Sequence, residues 1–76
     1  MIEVKSIVYW SRIMPTVDVC EVCELTIRTV ADTYFVGVEK KERHAYLFSY
    51  SAIGKTIFAT RKEALEKIKT YELSNR

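Results

Sequence analysis

Thr60 and Glu63, three residues apart at the head of an apolar-periodic run, constrain this chain more than any other pair. A threonine followed at that spacing by a glutamate is the signature of a capping box. The hydroxyl accepts from a backbone N–H of the first helical turn, and the carboxylate reaches back to the N–H of the cap. The spacing predicts a helix over about 61–73. Within it Ala64, Leu65, Ile68 and either Tyr71 or Glu72 recur at intervals of three and four, giving one apolar stripe. Lys62 with Glu66 and Glu63 with Lys67 pair at i,i+4 on the wet side. Just upstream, Ile53 and Gly54 make a turn and Thr56 to Ala59 a short apolar strand. A helix with a single apolar stripe needs a sheet to lie on, and the rest of the chain reads as that sheet.

From the N-terminus, Ile2 to Trp10 is rich in β-branched and aromatic residues, alternating at first and continuously apolar from Ile7, which predicts a strand buried in part on both faces. Pro15 donates no ladder hydrogen bond, so Ser11 to Thr16 is expected to be a loop or a strand break. Val17 to Val30 holds apolar residues whose parity changes near Cys20 to Val22 and again after Ile27, the pattern of a long strand bent by bulges. Ala31 and Asp32 supply a tight turn. Thr33 to Glu39 follows as a strand in which Gly37 marks a bulge or close packing. Lys40 to Arg43 form a solvated hairpin tip. His44 to Tyr50 alternates, with His44, Tyr46, Phe48 and Tyr50 on one face and Ala45, Leu47 and Ser49 on the other. Ser51 to Gly54 fits a short turn of 3-10 type.

Strands within 2–59 followed by one terminal helix predict a single α+β domain over residues 1–76: a small bent antiparallel sheet or half-open barrel of about five strands with a C-terminal α-helix. The ending of strand, short turn, strand and helix is compatible with a barrel of the Src-homology type, and an open meander is the alternative. A chain of 76 residues buries only about 60% of its unfolded surface, so the core is thin, and pairing two copies into a homodimer is one remedy.

The segment Gly-Lys-Thr-Ile-Phe-Ala-Thr-Arg-Lys-Glu-Ala (54–64) resembles a C-terminal signature, roughly Gly-Lys-Thr-Val-Phe-Leu-Thr-Arg-Glu-Glu-Ala, of small uncharacterised prophage and mobile-element proteins of Gram-positive bacteria. Gly54, Lys55, Thr56, Phe58, Thr60, Arg61, Glu63 and Ala64 match it. Ala59 stands where a larger aliphatic is usual, and Lys62 where an acid is usual. The resemblance covers about a quarter of the chain and implies a fold and a genomic setting rather than a chemistry.

Twelve basic residues against ten acidic ones, spread along the chain for a net charge of +2, leave no electrostatic footprint for a polyanion. Charges at Glu3 and Lys5 interrupt any signal-peptide layout, and no apolar run approaches the roughly 20 residues of a membrane span. A cytoplasmic location is expected, in keeping with two cysteines too few for a disulfide framework.

Four constellations bear on chemistry. Gly54-Lys55-Thr56 imitates the end of a phosphate-binding loop, but Ser49 stands where that motif needs glycine and a strand follows where it needs a helix, so a plain turn is the better reading. Cys20 and Cys23 form a Cys-x-x-Cys. A structural zinc site wants four ligands, and only His44 and carboxylates could complete one, for instance across a dimer. On an extended strand, moreover, the two thiols point to opposite faces. A redox role would need a helix N-terminus that this region lacks. His44, the sole histidine, has no nucleophile at a linking spacing, and Asp18, Glu21 and Glu24 read as a wet face rather than paired catalytic carboxylates. The face of His44, Tyr46, Phe48 and Tyr50 reads first as core beneath the helix, and second as a platform for stacking single-stranded bases.

No catalytic constellation and no cofactor motif emerges. The expectation is a non-enzymatic accessory protein of a phage or mobile element that docks on a host or phage protein through its β surface. A single-stranded nucleic-acid-binding module and a homodimer bridged by zinc at Cys20 and Cys23 are the alternatives.

Overall fold

The computed structural model describes residues 2–14, 16 and 19–74. Among the described residues five strands precede one helix: β1 (Ile7–Met14), β2 (Val19–Val30), β3 (Tyr34–Glu39), β4 (Ala45–Ser49), β5 (Ile57–Phe58) and α1 (Arg61–Ser74). The strands make one antiparallel sheet in the order β4-β3-β2-β1-β5. β5 returns to pair with Tyr9 and Trp10 of β1 after a 3-10 turn at Tyr50–Ala52. The expected α+β architecture, a curled half-barrel with a C-terminal helix, is the one observed. Among the described residues no helix is long and apolar enough to cross a membrane.

The curl follows from ring distances. β1 and β4 are separated by two strands, which in a flat sheet puts them about 14 Å apart. Yet the Trp10 ring on β1 lies 4.9 Å from that of Tyr46 and 5.1 Å from that of Phe48, both on β4. Three features permit this closure. Arg28 is an extra residue in β2, since the register against β3 shifts between Ile27 and Thr29, and such a bulge bends a strand and raises its twist. Gly37 lets β3 approach: a Cβ there would sit 3.1 Å from both Cβ and Cδ1 of Leu25. The Ala31 N–H donates to the Tyr34 carbonyl at 2.9 Å, closing the β2–β3 turn, and the Tyr50 hydroxyl donates to the Ala31 carbonyl from across the sheet.

Inside the curl lie Val8, Leu25, Ile27, Phe35 and Ile57, all buried, with Ile2, Trp10, Cys23, Tyr46, Phe48, Tyr50 and Ala52 packed around them. This is the core, and it faces away from the helix. α1 packs on the convex side against β1, β2 and β5. There the buried Ser11 hydroxyl donates to the Ala64 carbonyl at 2.7 Å. Arg61 pairs with Glu24 at 3.6 Å and lies 5.1 Å over the Tyr9 ring. Tyr9, Ser11 and Glu24 share one face because Tyr9 and Ser11 are two apart on β1 and Glu24 is the register partner of Tyr9. The reading that the aromatic face of β4 lies beneath the helix is therefore corrected: those rings are core, but on the other face.

Local expectations are corrected in four places. The first strand begins at Ile7 rather than Ile2, because Lys5 takes a left-handed φ of 73° and Ser6 closes a turn onto the Glu3 carbonyl. Ser11 to Met14 is strand and not loop; a residue before proline is held extended, so β1 runs up to Pro15 rather than stopping short of it. The bend expected near Cys20 to Val22 is absent, since β1 and β2 pair without interruption from Ile7↔Thr26 to Met14↔Val19. In α1 the buried stripe is Ala64 and Ile68 with half-buried Tyr71, while Leu65, expected inside, is 45% exposed. Pro15, Val17 and Asp18 lie outside the described residues.

The helix start holds as a cap. Thr60 Oγ1 accepts from the Glu63 N–H at 3.2 Å, and the Glu63 carboxylate accepts from the Thr60 hydroxyl at 3.0 Å. In a full capping box that carboxylate would take the Thr60 backbone N–H instead.

Candidate functional site

On the concave face, β4 alternates as its sequence requires: Tyr46 and Phe48 point inward, and Ala45, Leu47 and Ser49 outward. Together with rings from β1 and β3 they form a continuous row. His44 meets Tyr46 edge-on at 6.4 Å, Tyr46 meets Trp10, Trp10 meets Phe48, Phe48 stacks on Phe35 at 5.5 Å, and Phe35 meets Tyr50 at 5.6 Å. These separations are those at which aromatic pairs attract beyond their buried area. Phe35 is fully buried, while Trp10, Tyr46, Phe48 and Tyr50 keep part of their surface in solvent and His44 stands exposed.

The open end of the row carries a cation. The Arg12 guanidinium lies 5.5 Å from the Trp10 ring centroid and 5.7 Å from that of Tyr46, within range of a cation–π contact with both. It also pairs with Glu21, its register partner on β2, at 3.6 Å. The sequence by itself points to neither Arg12 nor Trp10 as part of this row. Trp10 was legible as an aromatic on a strand, but nothing local says that it crosses two strands to meet Tyr46. Arg12 falls in the stretch before Pro15 that the sequence marks as loop.

Cys23 sits beside this arginine. Burial first, and then the Glu21 carboxylate, push its thiol above the usual cysteine range, with Glu39 adding to the rise and Arg12 opposing it. Its Sγ lies 3.8 Å from Glu21 Oε1. A raised thiol stays protonated at neutral pH and is a poor nucleophile and metal ligand. Cys20 occupies the opposite face of β2, three positions away, so one ion cannot take both thiolates of a single chain. Neither cysteine is in a disulfide.

The remaining candidates disperse or cluster as follows. Glu21 and Glu24, read with Asp18 as one acidic group, lie on opposite faces of β2, each against its own arginine. Gly54 takes a left-handed φ of 84°, and its N–H donates to the Ile57 carbonyl while those of Lys55 and Thr56 donate to Ala52. These amides are spent on the turn and are not turned toward a phosphate. At the hairpin tip, ligand atoms of Glu39, Glu42 and His44 lie within 4.8 Å of one another. Two carboxylates and an imidazole suit a divalent cation, but Glu42 is already paired with His44 at 3.4 Å, and Lys40, Lys41 and Arg43 share the tip. Between that tip and β2 runs a cleft of about 410 Å³ lined by Glu21, Cys23, Glu39 and Lys41 among others, which places mixed charge just beyond the end of the ring row.

No family model, no curated protein and no solved structure matches this chain.

Proposed function

We propose that this chain is a small non-enzymatic accessory protein, of the kind carried by phages and mobile elements, that docks on a larger host or phage protein through the concave face of its sheet. The observation that carries the reading is the ring row of Tyr46, Trp10, Phe48 and Tyr50, half-buried rather than closed over, on the face that the helix leaves uncovered. Tryptophan and tyrosine with a neighbouring arginine are the residues that dominate protein interfaces energetically, because they offer rigid amphipathic surface and a directional cation. The genomic setting rests on the likeness of residues 54–64 to the mobile-element signature. The absence of a nucleophile–base pair in the sequence supports a binding role over a catalytic one.

A second reading, single-stranded nucleic acid stacked on the same rings, is favoured by Arg12 lying over Trp10 and Tyr46. It is opposed by Glu21, Glu39 and Glu42 around the open end. A tagged pull-down from host lysate, with and without nuclease, separates the two. The docking reading expects the same protein enriched in both samples and lost on Arg12→Glu. Enrichment that vanishes with nuclease, or retention of nucleic acid alone, overturns it.

A further inference from the structure

The sheet has two edges, and only one is defended. At β5 the edge is two residues long, and its Ile57 is bridged in parallel by Ile53, with the Gly54 N–H donating to the Ile57 carbonyl. At β4 the edge runs for five residues, Ala-Tyr-Leu-Phe-Ser, and pairs on its inner side only. It contains no lysine, glutamate or proline and no bulge, the devices by which edge strands are kept from pairing further.

The backbone groups on this edge have a fixed parity. The Glu39 N–H donates to the His44 carbonyl at 2.9 Å, so the bonded pairs of the β3–β4 ladder fall at residues 44, 46 and 48 of β4. The N–H and C=O groups of Ala45, Leu47 and Ser49 therefore point away from the sheet. These three positions are symmetric about Leu47, whose side chain is 66% exposed on the convex face.

We propose that β4 pairs antiparallel with β4 of a second copy of this chain, about a two-fold axis through Leu47. In that register Ala45 lies opposite Ser49 of the second copy, Leu47 opposite Leu47, and Tyr46 opposite Phe48. The outward N–H and C=O of Leu47 pair with those of the other Leu47 and the Ser49 N–H meets the Ala45 C=O, while the Ser49 C=O, already the first acceptor of the 3-10 turn, is shared with the Ala45 N–H; the ring row of one protomer continues into that of the other on the concave side. The charge pattern agrees. The two-fold sends each hairpin tip to the far end of its neighbour's strand, with Arg43, Lys41 and Lys40 toward the uncharged Ser51, Ile53 and Gly54 and away from the other tip. The two tips do not face each other. A strand of this length buries little area, so the pairing is a concentration-dependent dimer and not an obligate one.

The register makes a demand that no other interface shares: residue 47 faces itself. Sedimentation velocity across a concentration series, up to about 1 mM, should show the wild-type chain passing from monomer to dimer. Leu47→Lys and Leu47→Glu, each placing like charges directly opposite, should each weaken association by at least about ten-fold. An equimolar mixture of the two should restore a dimer containing one of each. Leu47 is exposed, so neither variant should unfold, and circular dichroism checks this. A wild type that stays monomeric throughout overturns the proposal, as does a wild-type dimer that both variants keep, or a mixture that remains monomeric. The inference is independent of the docking reading: a dimer that captures no lysate protein would sink only the latter.

Discussion

On its concave side the sheet encloses Phe35, Leu25 and Ile27 under a row of rings gathered from three strands. On its convex side it meets a helix whose buried residues, among those described, are Ala64 and Ile68, and beyond that helix Ile7, Tyr34 and Leu47 stand in solvent. The same strands build both faces, so the difference lies in how the surfaces are closed. The concave face gains its core by curling, through the Arg28 bulge, the room at Gly37 and the bonds that Ala31 makes to Tyr34 and Tyr50, and keeps one end open. The convex face depends on a separate element, held among the described residues by the buried Ser11–Ala64 hydrogen bond, the buried Ala64 and Ile68, and the exposed Arg61, whose ion pair with Glu24 is of small worth. In so short a chain the curl supplies the core and the helix is added to it.

Truncation of each side tests that ranking most severely. Phe35→Ala removes a fully buried ring touching Phe48 and Tyr50 and should cost about 3–5 kcal/mol. A domain of this size has little more than that to lose, so the variant should be largely unfolded at room temperature. Ile68→Ala should cost about 2 kcal/mol, the low end for such a change, because alanine favours the helix and the site is at the protein's margin. Urea titration followed by Trp10 fluorescence reads both. Equal losses would mean that the helix belongs to one shared core and that the two faces are not separate in energy.

The same contrast explains what could be seen in the sequence. The cap at Thr60, the parity shift after Ile27 and the alternation of His44 to Tyr50 are set by neighbours within a few residues, and each is where the spacing put it. The second parity change, near Cys20, was not a bend: Cys20, Val22 and Cys23 are all half-buried, and where both faces are covered parity carries no information. Which face the helix would choose was not legible, because the stripe of Ala64 and Ile68 fits either side of a sheet. Ser11 illustrates the difficulty. Four residues before Pro15 it reads as loop, yet its small side chain is what lets the helix backbone come within hydrogen-bonding distance of β1. Of the site, Tyr46 and Phe48 on β4 and His44 and Tyr50 flanking it are visible in the sequence, whereas Trp10, Arg12 and Phe35 join them only through curvature, which depends on the sum of twist over several strands.

A smaller perturbation separates the helix from the sheet. Replacing Thr60 and Glu63 together with alanine removes both side-chain bonds of the cap and should cost about 1–2 kcal/mol. Ser11→Ala, which deletes the hydroxyl bond to Ala64, should cost about 1 kcal/mol. In native-state hydrogen exchange both should release the amides of α1 while those of Ile27 and Phe35 keep their protection, since local opening follows the weaker contacts. Loss of protection in both places at once would tie the helix to the core and undo the distinction.

The smallest effect probes how closed the concave face is. Cys23 lies inside the curl, and burial before all else raises its thiol, with Glu21 and Glu39 adding and Arg12 subtracting. A folded pKa above the unfolded one, about 8.5, means that the folded chain holds its proton more tightly. Its contribution to stability is therefore complete below the unfolded value and is lost as pH rises from there through the folded one. In a Cys20→Ser background the rate of alkylation by iodoacetamide should rise with pH later in the folded protein than in the chain in urea. Glu21→Gln should move that rise to lower pH and Arg12→Ala to higher pH. The opposite signs matter, because a general loosening of the sheet would shift both variants downward together. Folded Cys23 ionising at or below the value in urea would show water reaching the thiol freely, and the concave face would then be an open surface of rings rather than a core with one open end.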